Sequence, residues 1–414
     1  MTSITDLENT SSAADASRWP ALATPPRSLV KATLARIVLH RVATHSGIRV
    51  EMPNGRSWGP ASGPTIIILK PDRFFSRLGR EGKIGFGEAY MAGDWDSPEI
   101  VDVLEALASN VTTLVPPGTH WLRRFYEARH PSSEANDRRG SRRNIARHYD
   151  LSNELFATFL DPSMTYSSAI FDSPDEPLET AQARKIDHVL DAAGVRDGSR
   201  VLEVGTGWGA LAISAARRGA QVTSVTLSEE QATYARSRVD AAGLSERIDI
   251  KVQDYRDVSG TFDAIVSVEM IEAVGEEWLP TYFRQLDHLL APQGKIAIQS
   301  IVMDHAQMVA TRSSWTWIHK YIFPGGLIPS RRAIDDVLQR HTTLRVTEET
   351  AFGQSYALTL ERWRQTFRAQ ARRIDRLGFD ATFRRMWTFY LAYSEAGFRS
   401  GYLNVLQLRM SREG

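Results

Sequence analysis

Between residues 200 and 301 the chain repeats one pattern: a short apolar run, a turn, then a longer stretch with apolar positions at helical spacing. The strand-like runs are Arg200–Val204, Gln221–Thr226, Asp249–Val252, Ala264–Val268 and Lys295–Ile301. Helices fit between them, as at Ala210–Arg218 and Glu229–Ala242. Such alternation predicts an α/β fold with a doubly wound, Rossmann-like parallel sheet. Ligands of these sheets sit beyond the carboxyl ends of the strands. Upstream the pattern is less regular. Ala32–Val42 and Val101–Leu107 read as helices, and Ile48–Glu51 and Thr65–Leu69 as strands. The division that follows is a disordered tail at 1–20, a smaller mixed domain at 21–128, a polar basic linker at 129–143 without apolar periodicity, and the alternating domain at 144–414. Within the last, residues 357–398 read as helical additions rich in arginine and aromatics.

Composition narrows the class. The chain has 414 residues, 42% apolar and 24% charged, so it can bury a sizeable core. Fifty basic residues against 49 acidic ones leave a net charge of +1, which offers nucleic acid no global field. Cysteine is absent, which excludes disulfides, thiolate chemistry and cysteine-bound zinc. No His/Asp/Glu set has metal-ligand spacing, so no metal is expected. The chain shows no apolar run near the roughly 18 residues of a spanning helix, and Met1–Pro20 lacks the apolar core of a signal peptide. The expected location is cytoplasmic.

Candidate chemistry begins at VLEVGTGWGA, residues 201–210. Glycines at 205, 207 and 209 lie where a strand turns into a helix, so the backbone can approach a ligand closely beside a helix N-terminus. The spacing is G-x-G-x-G, not the G-x-G-x-x-G of dinucleotide folds. Thr206 lies inside this turn; Thr226, Ser228 and Gln231 follow the second strand, where hydroxyls and an amide can hold a ribose. Asp254 and Tyr255 follow the third, where a carboxylate and a ring can hold an adenine. Together they point to S-adenosylmethionine (SAM) as the cofactor.

Further motifs carry a resemblance. NIARHYDLSN (144–153), DPSMTYSS (161–168), TLSEEQ (226–231), SVEMIEAVG (267–275) and YIFPGG (321–326) occur in the order found in the cyclopropane-fatty-acyl-phospholipid synthase family. GFGEAY (85–90) and MAGDW (91–95) resemble its long, two-domain members. Within the family the chain looks most like the branch that makes 10-methyl-branched, tuberculostearic-type acyl chains. The resemblance implies a SAM-dependent methyltransferase domain, with the N-terminal domain serving lipid binding or assembly. Its substrate would be the double bond of an unsaturated acyl chain in a phospholipid bilayer, approached from the inner face of the membrane. The product would be a 10-methylene branch or a cyclopropane. A branched product would need a separate reductase to become a saturated methyl, and long family members form homodimers.

The chemistry is physically coherent. An alkene attacking a sulfonium methyl leaves a carbocation on the acyl chain. Water must be excluded, aromatic faces can stabilise the cation, and a base must take one proton. Its placement decides between ring closure and a methylene. In the family that base is a bound bicarbonate, held by cysteine, glutamate, histidine, tyrosine and backbone. Motif by motif these positions are Ser168, Glu272, Gln299, Tyr356 and Ile301. Serine and glutamine replace the cysteine and histidine, and both can still donate. Tyr166 and Tyr149 would lie beside the sulfonium and the acyl chain, with Ser167 at the cofactor. Glu269 reads either as part of the site or as a structural cap. Trp315, Trp317, Tyr321 and Phe323 line an acyl tunnel or pack a helix, and 324–326 reads as a bend or hinge. His148 and His319 are secondary candidates for a base. Arg362, Arg364, Arg368, Arg372 and Arg373, with Arg138, Arg139, Arg142 and Arg143, form either solvated basic faces or a docking patch for anionic lipid. Two other readings stay open: methylation of a soluble small molecule, and a non-catalytic SAM- or lipid-binding homologue.

Overall fold

The computed structural model describes residues 15–24, 28–110 and 152–412. The chain divides into two compact units: Met1–Arg129 with Ser314–Ile322 and Trp363–Tyr402, and His130–Ser313 with Phe323–Arg362 and Leu403–Gly414. The sequence reading placed 144–414 in one domain. The structure instead groups 314–322 and 363–402 with the N-terminal residues.

The first unit shows why. Its four short strands, β1 (Arg49–Glu51), β2 (Ser57–Trp58), β3 (Thr65–Ile68) and β4 (Trp95–Asp96), order as β2-β1-β3-β4. A sheet this small cannot make a core alone. Helix Ala381–Arg399 supplies the missing apolar surface. Its Phe389 packs on Phe86 and Tyr90, and Trp317 lies edge-on to Phe389 at 4.8 Å. Arg385 donates to the carbonyls of Tyr90 and Trp95 and pairs with Asp96. Close approach at this core demands glycine at 87, where a Cβ would stand 2.5 Å from Trp317 Cδ1. Arg77 is fully buried, yet its charge is met by Asp94 at 2.9 Å and by the carbonyls of Ala21 and Leu22.

The second unit is built on seven strands: β5 (Arg200–Val204), β6 (Gln221–Thr226), β7 (Ile248–Val252), β8 (Phe262–Val268), β9 (Leu290–Met303), β10 (Leu344–Ala351) and β11 (Leu403–Arg412). Their order is β10-β11-β9-β8-β5-β6-β7. The first five are mutually parallel and coincide with the strands read from sequence, apart from extended ends. β5 is buried on both faces after its first residue, as a central parallel strand must be. β10 and β11 are antiparallel additions, so the sheet is mixed. Helices cover both faces. On one side Ile186, Leu190, Leu211 and Val239 pack against Val201, Val222 and Val266. On the other Tyr282, Phe283, Leu286 and Ile334 pack against Leu202, Ile265 and Ile298. The chain leaves β5 toward β6 on one side and returns to β8 on the other, so a crevice opens at the carboxyl ends of β5 and its neighbours. Among the described residues no helix is long and apolar enough to cross a membrane.

Candidate active site

That crevice is a pocket in the second unit, and the turn after β5 forms its floor. Gly205 (φ +100°) and Gly207 (φ +52°) both line it, and a Cβ on Gly207 would meet nothing within 4 Å. The backbone therefore faces open space at the N-terminus of helix Ala210–Arg217. Thr206, Thr226, Gln231, Asp254, Tyr255, Tyr166 and Ser167 line the same pocket, so nine of the eleven residues expected to hold the cofactor converge there. Gly209 and Ser228 do not line it. Gly209, at φ +86°, lets its helix approach Ala235, whose Cβ would lie 3.2 Å from an added one. Ser228 caps helix Glu229–Ala241 by accepting from the Gln231 N–H.

The ligand ends of the strands are pre-set by their own hydrogen bonds. Thr226 Oγ1 donates to Gln231 Oε1 at 3.1 Å and accepts from the Ser228 N–H. Asp254 is gripped through both oxygens by Arg256, at 2.8 and 2.7 Å. The Tyr255 ring packs edge-on to Tyr282, and burial pushes its phenol up to about 12. Tyr166 and Trp208 also line the pocket, and Phe156 packs against both, its ring 5.1 Å from Tyr166 and 5.0 Å from Trp208. Trp208 is fixed by donating to Asn153 Oδ1.

Three ionisable residues that sequence reading did not single out as cofactor contacts also line the pocket: the buried Lys185 and Glu203, and the partly buried Glu269. Lys185 Nζ donates to Ser167 Oγ at 2.5 Å, and burial pushes its ammonium down to about 8 despite the opposing pull of Glu269, Asp161 and Glu203. Glu203 accepts from Ser224 Oγ, and burial raises it to about 8. No local pattern flags Lys185, which lies on helix Leu178–Ala192.

Three of the five residues expected to hold a bicarbonate, Ser168, Gln299 and Tyr356, come together around Glu269, while Glu272 and Ile301 pair with each other. Glu269 Oε1 accepts from the Ser168 N–H at 2.9 Å and from Gln299 Nε2 at 2.7 Å. Its Oε2 accepts from the Tyr356 hydroxyl at 2.8 Å. The Ser168 hydroxyl turns away, donating to the carbonyl of Ala169. Gln299 is held in register by its β11 neighbour: Gln407 Nε2 donates to Gln299 Oε1 at 3.0 Å, while His188 Nδ1 lies 2.6 Å from Gln407 Oε1. With its oxygen thus occupied, Gln299 presents its NH₂ to Glu269. Glu272 lies on the far side of the turn after β8. Its Oε1 accepts from the Ile301 N–H at 2.5 Å and from Ser300 Oγ at 3.2 Å. Its Oε2 is buried with no hydrogen-bond partner among the described residues. Burial, and then the neighbouring Glu269 charge, push Glu272 up to about 8. Burial also raises Glu269, opposed by Lys185 and by the three donors. Where two carboxyls influence each other, the one with donors and a cation ionises first. Three donors and the Lys185 charge favour the ionised form of Glu269, whereas burial, an unpartnered Oε2 and the Glu269 charge favour the neutral form of Glu272.

The aromatic and arginine candidates separate. Trp317 is buried on Phe389 and Tyr321 donates to Glu88, so both pack within the first unit. Trp315 stacks on His319, whose Nδ1 belongs to the capping box of Thr316. Trp363 and Phe367 are buried, Arg364 pairs with buried Glu395, and Arg362 donates to the Pro174 carbonyl. Arg368, Arg372 and Arg373 are exposed. Tyr149, His148 and the linker arginines lie outside the described residues.

The pocket suits SAM: open backbone for close approach, hydroxyls and an amide at the second strand, and buried carboxylates opposite a positive sulfonium. Comparison with known proteins agrees. Residues 136–408 match the family model for mycolic acid cyclopropane synthetase. The chain is 51% identical to tuberculostearic acid methyltransferase UfaA1 of Mycobacterium tuberculosis, over 98% of this chain and 97% of that one. It is 34% identical to cyclopropane-fatty-acyl-phospholipid synthase of Escherichia coli, over 85% of this chain and 89% of the relative. The solved structure of mycolic acid cyclopropane synthase CmaA1 complexed with SAH and CTAB matches with a TM-score of 0.60 at 29% identity, over 65% of this chain and 97% of that one. A family model matched over residues 136–408, and sequence identity along nearly the whole chain, lead to one conclusion: the chain belongs to the mycolic acid cyclopropane synthetase family of SAM-dependent methyltransferases.

Proposed function

We propose that this enzyme methylates the double bond of an unsaturated acyl chain carried by a membrane phospholipid, giving a 10-methylene branch rather than a cyclopropane. The observation that carries the reading is a buried carboxylate cluster in the wall of the SAM pocket, in a chain whose similarity to a tuberculostearic acid methyltransferase runs end to end. Bound SAM supplies an electrophilic methyl group on a sulfonium. Gly205 and Gly207 admit it, and Thr226 and Gln231 hold its ribose. Tyr166 and Trp208, backed by the Phe156 packed on both, give the pocket apolar ring surface that would exclude water and offer ring electrons to developing positive charge.

The partner is a bilayer surface. In the first unit, helix Leu29–His45 turns Leu39, Ala35 and Ala43 inward, yet leaves Leu29, Val30, Leu34, Ile37 and Val38 exposed, flanked by exposed Lys31 and Arg41. An apolar stripe with cationic flanks matches an anionic lipid interface. The N-terminal unit is thus the lipid-binding part, acting at the inner face of the membrane and as a homodimer. A separate reductase would convert the methylene to a methyl.

The test is incubation of the purified protein with SAM and vesicles of an oleoyl phospholipid, followed by proton NMR of the acyl products. Vinylidene protons are expected. Upfield ring protons would make the product a cyclopropane. No methylated lipid, with methylation of a soluble acceptor instead, would overturn the acyl-chain reading.

A further inference from the structure

The residues that the family resemblance assigns to a bicarbonate already have their donors engaged within this protein. Ser168 N–H, Gln299 Nε2 and Tyr356 Oη all point at the Glu269 carboxylate, at 2.9, 2.7 and 2.8 Å. The Ile301 N–H is engaged by Glu272. The Ser168 hydroxyl, at the cysteine position, is turned to the Ala169 carbonyl. A separate bicarbonate does not fit this arrangement, because a second anion would have to displace Glu269 from Gln299 and Tyr356 and Glu272 from Ile301, and lie against the Glu269 charge.

We propose that Glu269 is the built-in base of the reaction and replaces the exogenous anion. This rests on the acyl-chain reading above. Four observations support it. The residue lines the SAM pocket, so it faces the space where the reacting carbon must lie. Both lone pairs of Oε1 are used by Ser168 and Gln299, while among the described residues Oε2 accepts only from Tyr356 and keeps a lone pair for a proton. The residue adopts φ +49°, a left-handed conformation that costs a non-glycine residue about 1–2 kcal/mol. Such strain collects at functional sites when surrounding bonds enforce it, and here the Glu269 N–H donates to the Gln299 carbonyl at 2.8 Å. Finally, the chain His188–Gln407–Gln299 fixes the amide so that it can only donate.

The step balances. After methyl transfer the acyl chain carries a cation. A C–H bond of the new methyl breaks, its proton goes to Glu269 Oε2, and its electron pair forms the last carbon–carbon bond. That bond is the exocyclic double bond if a hydride has first shifted to the neighbouring carbon, and the third ring bond if it has not. Glu269 ends as the neutral acid and returns the proton to solvent, matching the one proton the overall reaction releases.

The experiment uses the full chain, oleoyl phospholipid vesicles, methyl-labelled SAM and buffers stripped of carbon dioxide. Wild type is expected to keep its rate within about twofold when bicarbonate is removed. E269Q should lose about 100-fold or more in kcat, the scale of general base catalysis, while calorimetry shows SAM affinity within about threefold of wild type. E269G relieves the positive φ and opens the donor set; it should be inactive without bicarbonate and regain about tenfold or more when bicarbonate or formate is added. A purely structural role for Glu269 would not give anion rescue. A wild-type rate that collapses without bicarbonate and returns with it would overturn the assignment, as would E269Q turning over at the wild-type rate. Wild type that labels no lipid would overturn the acyl-chain reading, and this inference with it.

Discussion

Substituting Glu272 by glutamine tests the division of charge in this site. Glu272 has an ordinary value of 4.5 and is raised to about 8, chiefly by burial and then by the Glu269 charge. Its Oε1 is well bonded, but its Oε2 is buried without a partner, which suits a neutral group and penalises an ionised one. The folded state therefore holds this proton more tightly than the unfolded chain. Its contribution to stability is complete below pH 4.5 and is lost as pH rises through about 8, at about 1.4 kcal/mol per pH unit. Across that interval the loss amounts to about 5 kcal/mol at most. Glutamine keeps the Oε1 acceptor and cannot ionise, so E272Q removes this pH dependence. Glu203, also raised to about 8, is present in both proteins and cancels in the comparison. Thermal unfolding followed by intrinsic fluorescence from pH 5 to pH 9 is the assay. At about 2–4 °C per kcal/mol for a unit of this size, the Tm of E272Q should gain about 10 °C on wild type over the range. Parallel curves would refute the reasoning. A wild type that gains on the variant as pH rises would show that Ile301 and Ser300 favour the charged form.

Two further substitutions probe the supports. Gln407→Leu leaves the buried Gln299 Oε1 unpaired, while the exposed His188 turns to water, so stability should fall by about 1–3 kcal/mol in denaturant titrations. Because Glu269 then loses an aligned donor to its charged form, the acid limb of the kcat–pH profile should move to higher pH, a shift that packing damage alone would not produce. Gly87→Ala drives a Cβ to 2.5 Å from Trp317 Cδ1 and 2.7 Å from its Nε1, and overpacking of this kind costs about 1–3 kcal/mol. A lower Tm is expected; an unchanged one would show that Trp317 can move.

Much of the catalytic unit was legible because its signals are local. A parallel sheet buries its central strands on both faces, so β5 and β8 read as short apolar runs, and the glycines at 205 and 207 declare a backbone that must pass close to a ligand. β10 escaped because its residues LRVTEETA are largely exposed and carry no apolar alternation. Gly209 and Ser228 share the motif spacing of true pocket residues, yet serve helix packing and capping, a distinction that spacing cannot make.

What the sequence by itself determined was the set of chemical groups and their order: a nucleotide-type turn, carboxylates at 269 and 272, and polar residues at 168, 299 and 356. What only the tertiary structure decided was which carboxylate those polar residues serve. Glu269 and Glu272 lie three positions apart in a turn, and nothing local ranks them. The choice was made by the backbone at φ +49°, by the pairing of β9 with β11 that puts Gln407 behind Gln299, and by a helix from residues 353–369 that brings Tyr356 to the same point. Directional hydrogen bonds between groups distant in sequence exist only once the sheet has set their positions, so which carboxylate meets those donors was decided by the fold.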